Sequence, residues 1–381
     1  MAAFAERTGL ATMAPPRRYL WTDAFAVCNY LGLAAATSDA RFIDLALDLV
    51  HQVHHVLGRY HPGDPRTGWI SGLEGEEAEA HPTCGGLRIG KPFRERPPHD
   101  PFDQRLEWDR DGQYFHYLTK WMHALDQTSR ATGDPRFNLW ARELAEAAHA
   151  AFVHGPPGQR GMAWKMSTDL SRALVPSMGQ HDPLDGYITC VQLASTARQI
   201  ERAPPGPTLA PAIEDYRAIS QAIDLRTADP LGLGGLLTDA FRIVQLAGEK
   251  TLEGGGLLAG LLVAALDGLE RYARLGEWHQ PAARRLAFRE LGLAIGLAAS
   301  ELLDHAMLAI SSRPAYAPIR DRLESLKRFV PLGQAIEVFW LEPAHQAVPT
   351  WSEHRDINEM MLATRLAPEG FLVLRPVARG A

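Results

Sequence analysis

The segment Ala36-Thr37-Ser38-Asp39-Ala40-Arg41-Phe42 recurs further along the chain as Ala131-Thr132-Gly133-Asp134-Pro135-Arg136-Phe137. In both places a stretch of helical periodicity leads in, and an aspartate followed by Ala or Pro opens a new one, which is how one helix stops and another starts. The repeated unit is an αα-hairpin. A hairpin cannot bury its apolar stripe alone, so a chain built from such units must stack them.

Apolar periodicity places further helices at Asp185 to Arg202, Ala212 to Leu225, Asp239 to Lys250, Gly256 to Arg274, Ala282 to Ala309, Pro318 to Phe329 and Glu353 to Leu366. Gly256 to Arg274 and the helix after it are apolar nearly all round, so inner and outer positions are both open to them. Strand-like pieces interrupt the pattern at Leu87-Arg88-Ile89, Met162 to Met166, Ile336 to Trp340 and, in the tail, Phe371 to Val377. The expected class is all-α: a tail over residues 1–18, then one domain of stacked hairpins over 19–381 with short strands in its loops.

Composition narrows the partners. The 381 residues are 46% hydrophobic and 22% charged with a net charge of −6, and the isoelectric point is near 6.2. Such a chain offers no basic stripe for nucleic acid or an anionic membrane. It is also long enough to hold a core with neither disulfide nor metal, and no cofactor is expected. Three cysteines without a CxxC pair fit a reducing compartment. No signal peptide is visible, and Leu257 to Leu269 is too short to cross a bilayer, so the expected setting is cytoplasmic.

Aspartates recur where first helices of hairpins start. Leu20-Trp21-Thr22-Asp23-Ala24-Phe25 is echoed by Leu236-Leu237-Thr238-Asp239-Ala240-Phe241, and Asp111, Asp185 and Asp356 stand in related places. Aspartate suits a helix N-terminus without any further role. Long loops lead into Asp111, Asp185 and Asp356, however, and long loops in a compact domain usually serve function.

The hairpin repeat and these acidic helix starts resemble the six-hairpin, (α/α)6 toroid superfamily, which holds glycoside hydrolases, unsaturated uronyl hydrolases and the N-acylglucosamine 2-epimerase group. The resemblance spans roughly Tyr19 to Leu366 and is architectural. It implies an (α/α)6 barrel whose ligand sits at the rim where inner helices begin, with Asp23, Asp111, Asp185, Asp239 and Asp356 at the matching positions. The last hairpin departs from the pattern, because Pro368 and Gly370 stand where its second helix would run.

The expected ligand is a small carbohydrate-like molecule, and the expected reaction is glycosidic hydrolysis by paired carboxyl groups. Asp111, Asp185 and Asp23 are the candidate catalytic residues. Trp21, Trp108, Tyr114, Trp164, His181, Tyr187, Asp239 and Asp356 are candidates for holding the ligand, since aromatic faces pack on sugars. Ordinary core burial accounts for such rings equally well. The alternative is a sugar epimerase or isomerase with His116, His181 or His354 exchanging the proton; a third reading is a non-catalytic scaffold. A terpene-cyclase-like toroid is disfavoured by the lack of adjacent aspartates. His51, His54 and His55 read as a solvated face despite the i, i+4 spacing of the outer two. Glu74, Glu76, Glu77 and Glu79 read as solvated loop, and Leu252 to Leu257 reads as a turn without the Lys-Ser/Thr pair of a phosphate loop.

Overall fold

The repeated turn folds the same way twice. Helix α1 (Leu20–Thr37) ends on Ser38 in the left-handed region, and Asp39 accepts from the amide and guanidinium of Arg41, where α2 (Arg41–Leu57) begins. Helix α3 (Phe115–Thr132) ends on left-handed Gly133, and Asp134 accepts from the amide and guanidinium of Arg136 in α4 (Pro135–Phe152). Thr37 and Thr132 each donate back to the carbonyl four residues earlier, at 2.7 and 2.8 Å. The left-handed residue stops one helix, and the aspartate satisfies an amide of the next.

This computed structural model describes residues 1–252, 254–307 and 319–378. They form two compact units, Met1–Ile223 with Arg375–Ala381, and Asp224–Leu374. Among the described residues there are twelve helices of eight residues or more, and only short strands.

The first unit adds α5 (Asp182–Gln199) and α6 (Ala210–Gln221). Helix α3 packs between α1 and α5. These three are buried along most of their length, whereas α2 buries only a stripe that includes Leu49, Val53 and Leu57. A buried polar network locks α3 to its neighbours: Asp126 accepts from Arg130, Asn138, Gln192 and Thr196. Because every donor and acceptor there is turned inward, the network fixes helix register as well as holding the helices together. The residues before α1 are partly ordered into this unit, with a one-turn helix at Ala2–Arg7 that buries Phe4.

Strands β1 (Gln113–Tyr114), β2 (Val153–His154), β3 (Gly161–Met162), β4 (Lys165–Met166) and β5 (Ala173–Val175) make two small antiparallel sheets, ordered β1-β4-β5 and β2-β3. The register sets Tyr114 opposite Lys165. Leu87 to Ile89 form no strand; their backbone instead bridges loops, with the Ile89 amide donating to Gly112 and its carbonyl accepting from Leu20.

The second unit holds α7 (Pro230–Gly248), α8 (Gly255–Leu275), α9 (Ala287–Met307), α10 (Arg320–Lys327), α11 (Val330–Leu341) and α12 (Arg355–Leu366). Helix α9 is its centre, packed by α7, α11 and α12. Glycines let α7 and α9 nearly touch: a Cβ on Gly234 would stand 2.1 Å from the Gly292 carbonyl oxygen, and one on Gly296 would meet Gly234. Helix α8 buries Leu258, Leu261, Leu262 and Leu269 but exposes Val263, so it takes the outer position and α9 the inner one.

Several expectations need correction. Ile336 to Trp340 belong to α11, not to a strand; Pro331 starts the helix and Trp340 Nε1 anchors it on Glu290 at 2.7 Å. The tail forms a one-turn helix at Glu369–Leu372 rather than a strand. Asp239 opens no helix: α7 starts at Pro230, where Asp229 caps the Gly232 amide, so Asp239 lies midway along it, paired with Arg242. The Leu-Gly-Leu-Gly-Gly run after Pro230 disguised that first stretch as loop. Glu76, Glu77 and Glu79 fall on a short helix, Gly75–Ala80, with Glu74 at its N-cap. In the Leu252 to Leu257 turn, Glu253 lies outside the described residues, as do residues 308–318 where two expected helix ends fall. No described helix is long and apolar enough to cross a membrane.

Candidate functional site

The starts of α1, α3 and α5, all in the first unit, gather aromatic and titratable side chains into one cluster around His116. Tyr114 is the N-cap of α3 and is held by the pairing of β1 with β4; Trp164 precedes β4 and its carbonyl accepts from the Phe115 amide. Trp21 arrives from the first turn of α1. The His116 ring has Tyr117 at 4.7 Å and perpendicular, Tyr114 at 5.5 Å, Trp21 at 5.8 Å and Trp164 at 6.2 Å, nearly parallel.

Burial pushes the His116 pKa down to about 3, assisted by the charge of Lys120 and opposed by Asp185. The imidazole is therefore neutral at physiological pH. Among the described residues its buried Nδ1 has no hydrogen-bond partner, and neither has buried Trp21 Nε1. Two buried, partnerless polar atoms in one aromatic cluster are unusual for a core, where such groups are nearly always paired. Solvent also touches the cluster, since His116, Tyr117, Lys120 and Trp164 are half-buried.

Polar groups flank the rings. The hydroxyls of Tyr19 and Tyr117 lie 2.5 Å apart, and the Lys91 ammonium is 5.4 Å from the Tyr19 ring centre. Burial lowers the pKa of Lys91, against the pull of Asp109 and Asp111. On α5, Asp185 accepts from Thr119 and, at 2.7 Å, from Lys120. Three residues earlier, Asp182 has its carboxyl pKa pushed up to about 7, by burial first and then by the Asp185 charge. Asp182 Oδ2 is buried without a partner.

Of the expected residues, the fold brings Trp21, Tyr114, Trp164 and Asp185 to this cluster, with His116 at its centre. Trp108 is 46% exposed and meets only the outer edge of the cluster, 5.5 Å from Trp164. His181 caps α5 and Tyr187 is buried two turns into that helix. Asp111 and Asp23 hold backbone. Asp111 is fully buried and accepts from Arg88 at 2.5 Å and from the amides of Gly90 and Gly112. Asp23 accepts from the Tyr19 amide at 2.9 Å and lies 3.5 Å from Arg18. The second unit holds Asp239, paired with Arg242, as well as Asp356 in the first turn of α12 and His354 at its N-cap, 5.5 Å from the Phe288 ring.

The aspartates are therefore not the capping residues of these helices. The N-caps of α1, α3, α5 and α12 are Tyr19, Tyr114, His181 and His354. Tyr19, Tyr117, Lys91, Lys120 and Asp182 were not singled out from the sequence. The i, i+4 spacing of His116 and Lys120 and the i, i+3 spacing of Asp182 and Asp185 were signals for two of them, Lys120 and Asp182; Lys91 had none. His54 also differs from expectation. It is buried, its Nε2 accepts from Trp121 Nε1 at 3.2 Å, and burial pushes its pKa down to about 3. His51 is exposed and stacks on His55, which bonds Glu79.

No family model and no curated sequence matches the chain. Among solved structures, it is similar to a sugar epimerase from a ruminal bacterium, with a TM-score of 0.48 and 10% identity over 92% of this chain and 87% of that one. It is also similar to the cellobiose 2-epimerase of Spirochaeta thermophila, with a TM-score of 0.45 and 11% identity over 82% of this chain and 74% of that one.

Proposed function

We propose that the cluster around His116 binds a sugar-like, polyhydroxylated molecule and moves a proton at one of its carbons, the chemistry of an epimerase or isomerase. The observation that carries this reading is the state of His116: a neutral imidazole among four aromatic rings, with a buried nitrogen that no described residue satisfies. Aromatic faces accept the C–H face of a sugar, and a neutral imidazole accepts a proton. Its low pKa makes it a weak base at rest. Negative charge developing on a substrate beside it favours the imidazolium and strengthens the base when it is needed.

Asp182 is suited to carry a proton near neutrality, and the Asp185–Lys120 pair to position it. Hydrolysis draws less support. Its two carboxyl groups must flank the scissile bond, but Asp111 and Asp23 are already engaged by backbone amides and arginines, while Asp182 and Asp185 share one turn of one helix.

Incubation with aldoses and disaccharides in heavy water tests the reading. Carbon-bound deuterium is expected to appear in one sugar with the native protein and to vanish in His116→Gln, which still shows a sugar-dependent rise in melting temperature. Release of reducing ends without exchange would shift the reading to hydrolysis. Neither exchange nor stabilisation by any sugar would leave the cluster as core.

A further inference from the structure

We infer that His81, Cys84 and Glu143 form a binding site for one divalent transition-metal ion of the zinc type. The site lies in the first unit, apart from the His116 cluster, and is independent of the function proposed for it. One donor atom from each of the three side chains falls within 4.8 Å of the other two. Imidazole, thiolate and carboxylate together are a donor set for zinc or cobalt rather than for calcium or magnesium. Two negative ligands and one neutral one also balance a doubly charged ion.

The side chains are held in place for this. His81 and Cys84 sit on one short segment, and that segment is stapled to α4: Trp140 Nε1 donates to the Ala80 carbonyl at 2.7 Å, and the Thr83 hydroxyl donates to the Trp140 carbonyl at 2.8 Å. Glu143 follows Trp140 by three residues on α4, so it comes up beneath the same segment. It is 8% exposed, with one oxygen 2.6 Å from His81 Nδ1, and its carboxylate also meets the Cys84 thiol, a weak donor. The three side chains thus already face one another, and no stronger donor among the described residues takes Glu143 Oε2. Cys84 is exposed and gives an ion a way in.

Tetrahedral coordination puts donor atoms about 3.4–3.8 Å apart, so no pair has to close by much more than about 1 Å, and the 2.6 Å His81–Glu143 contact opens by nearly as much. Cys84 is exposed and His81 half-buried, which leaves both side chains room to rotate. The thiolate is the form of Cys84 that ligates, so binding releases its proton to solvent and leaves the fourth position to water. The ion would clamp to α4 the segment that continues into Arg88 and Gly90, the residues that hold Asp111.

The test is titration of chelator-stripped, full-length protein with Co²⁺. The expected result is a thiolate-to-cobalt charge-transfer band that saturates at one equivalent, displacement of cobalt by Zn²⁺, and a higher melting temperature with either ion. Cys84→Ser should lose the band, and Glu143→Gln and His81→Ala should each weaken zinc by about tenfold or more, the scale on which lesser changes around metals already act. Cys28 and Cys190 are buried, so Cys84→Ser tests this thiol alone. Absence of the band, a band that survives Cys84→Ser, or binding that never saturates would overturn the inference. Glu143→Gln, isosteric with the native residue, keeps the test decisive if a folding defect appears in the others.

Discussion

Lys120 Nζ on α3 lies 2.7 Å from Asp185 Oδ2 on α5, one helical turn beyond His116. The pair ties two helix starts together at the edge of the aromatic cluster, with side-chain exposures of 21% and 9%. A double-mutant cycle with Lys120→Met and Asp185→Asn should give a coupling of about 1–3 kcal/mol, above the value for exposed pairs. A coupling near zero would make it an ordinary surface pair.

Asp182 should make the protein less stable in mild alkali. Its folded pKa of about 7 lies above the ordinary 3.8, so its contribution is fully present below pH 3.8 and is lost as pH rises through 7. Asp182→Asn, which mimics the protonated form, should exceed the native protein at pH 8.5 by about 1–3 kcal/mol more than it does at pH 5. Urea melts at the two values check this; equal differences at both would refute it. Asp185→Asn removes a charge that raises the Asp182 pKa, and should move the effect to lower pH.

Two histidines act with the opposite sign. His54 and His116 have folded pKa values of about 3 against an ordinary 6.5. The unfolded chain therefore binds more protons between those limits, and stability falls as pH drops from 6.5 toward 3. Protonation of Asp182 in the folded state offsets one histidine over part of that window, leaving a net loss. His54→Phe should flatten the slope, while costing about 1–3 kcal/mol at neutral pH for the stranded Trp121 N–H. An unchanged slope would mean that His54 is already protonated in the fold.

The network on Asp126 should be intolerant of truncation. Asp126→Ala would leave Arg130, itself fully buried, without its carboxylate, at a cost of about 3–5 kcal/mol by denaturant melt. A loss under about 1 kcal/mol would mean that water replaces the carboxylate.

In the second unit, Gly234→Ala should be as damaging. The added methyl would meet the Gly292 carbonyl at 2.1 Å, which is backbone and cannot rotate away. The helices must part, at a cost of about 1–3 kcal/mol or more. Gly235→Ala, one position along with open space around its Cβ, should be neutral or mildly stabilising in the same helix.

The sequence by itself determined the hairpins. A left-handed stop, a threonine bonding back one turn and an aspartate accepting from the amide two residues on, in the first turn of the next helix, are local events, and the repeat wrote them out twice. It also marked the helix starts at Trp21, Tyr114 and Asp185 as places where chemistry gathers. Only the tertiary structure decided which side chains meet there. Asp111 became a clasp for Arg88 and two amides, because loop residues distant in sequence supplied its donors. His116 became the neutral, partnerless centre, because its pKa depends on what packs around it, and those rings come from three separate segments. Helix propensity and caps act over one or two turns and can be read along the chain; burial and charge act through space, and become legible only once the chain has folded.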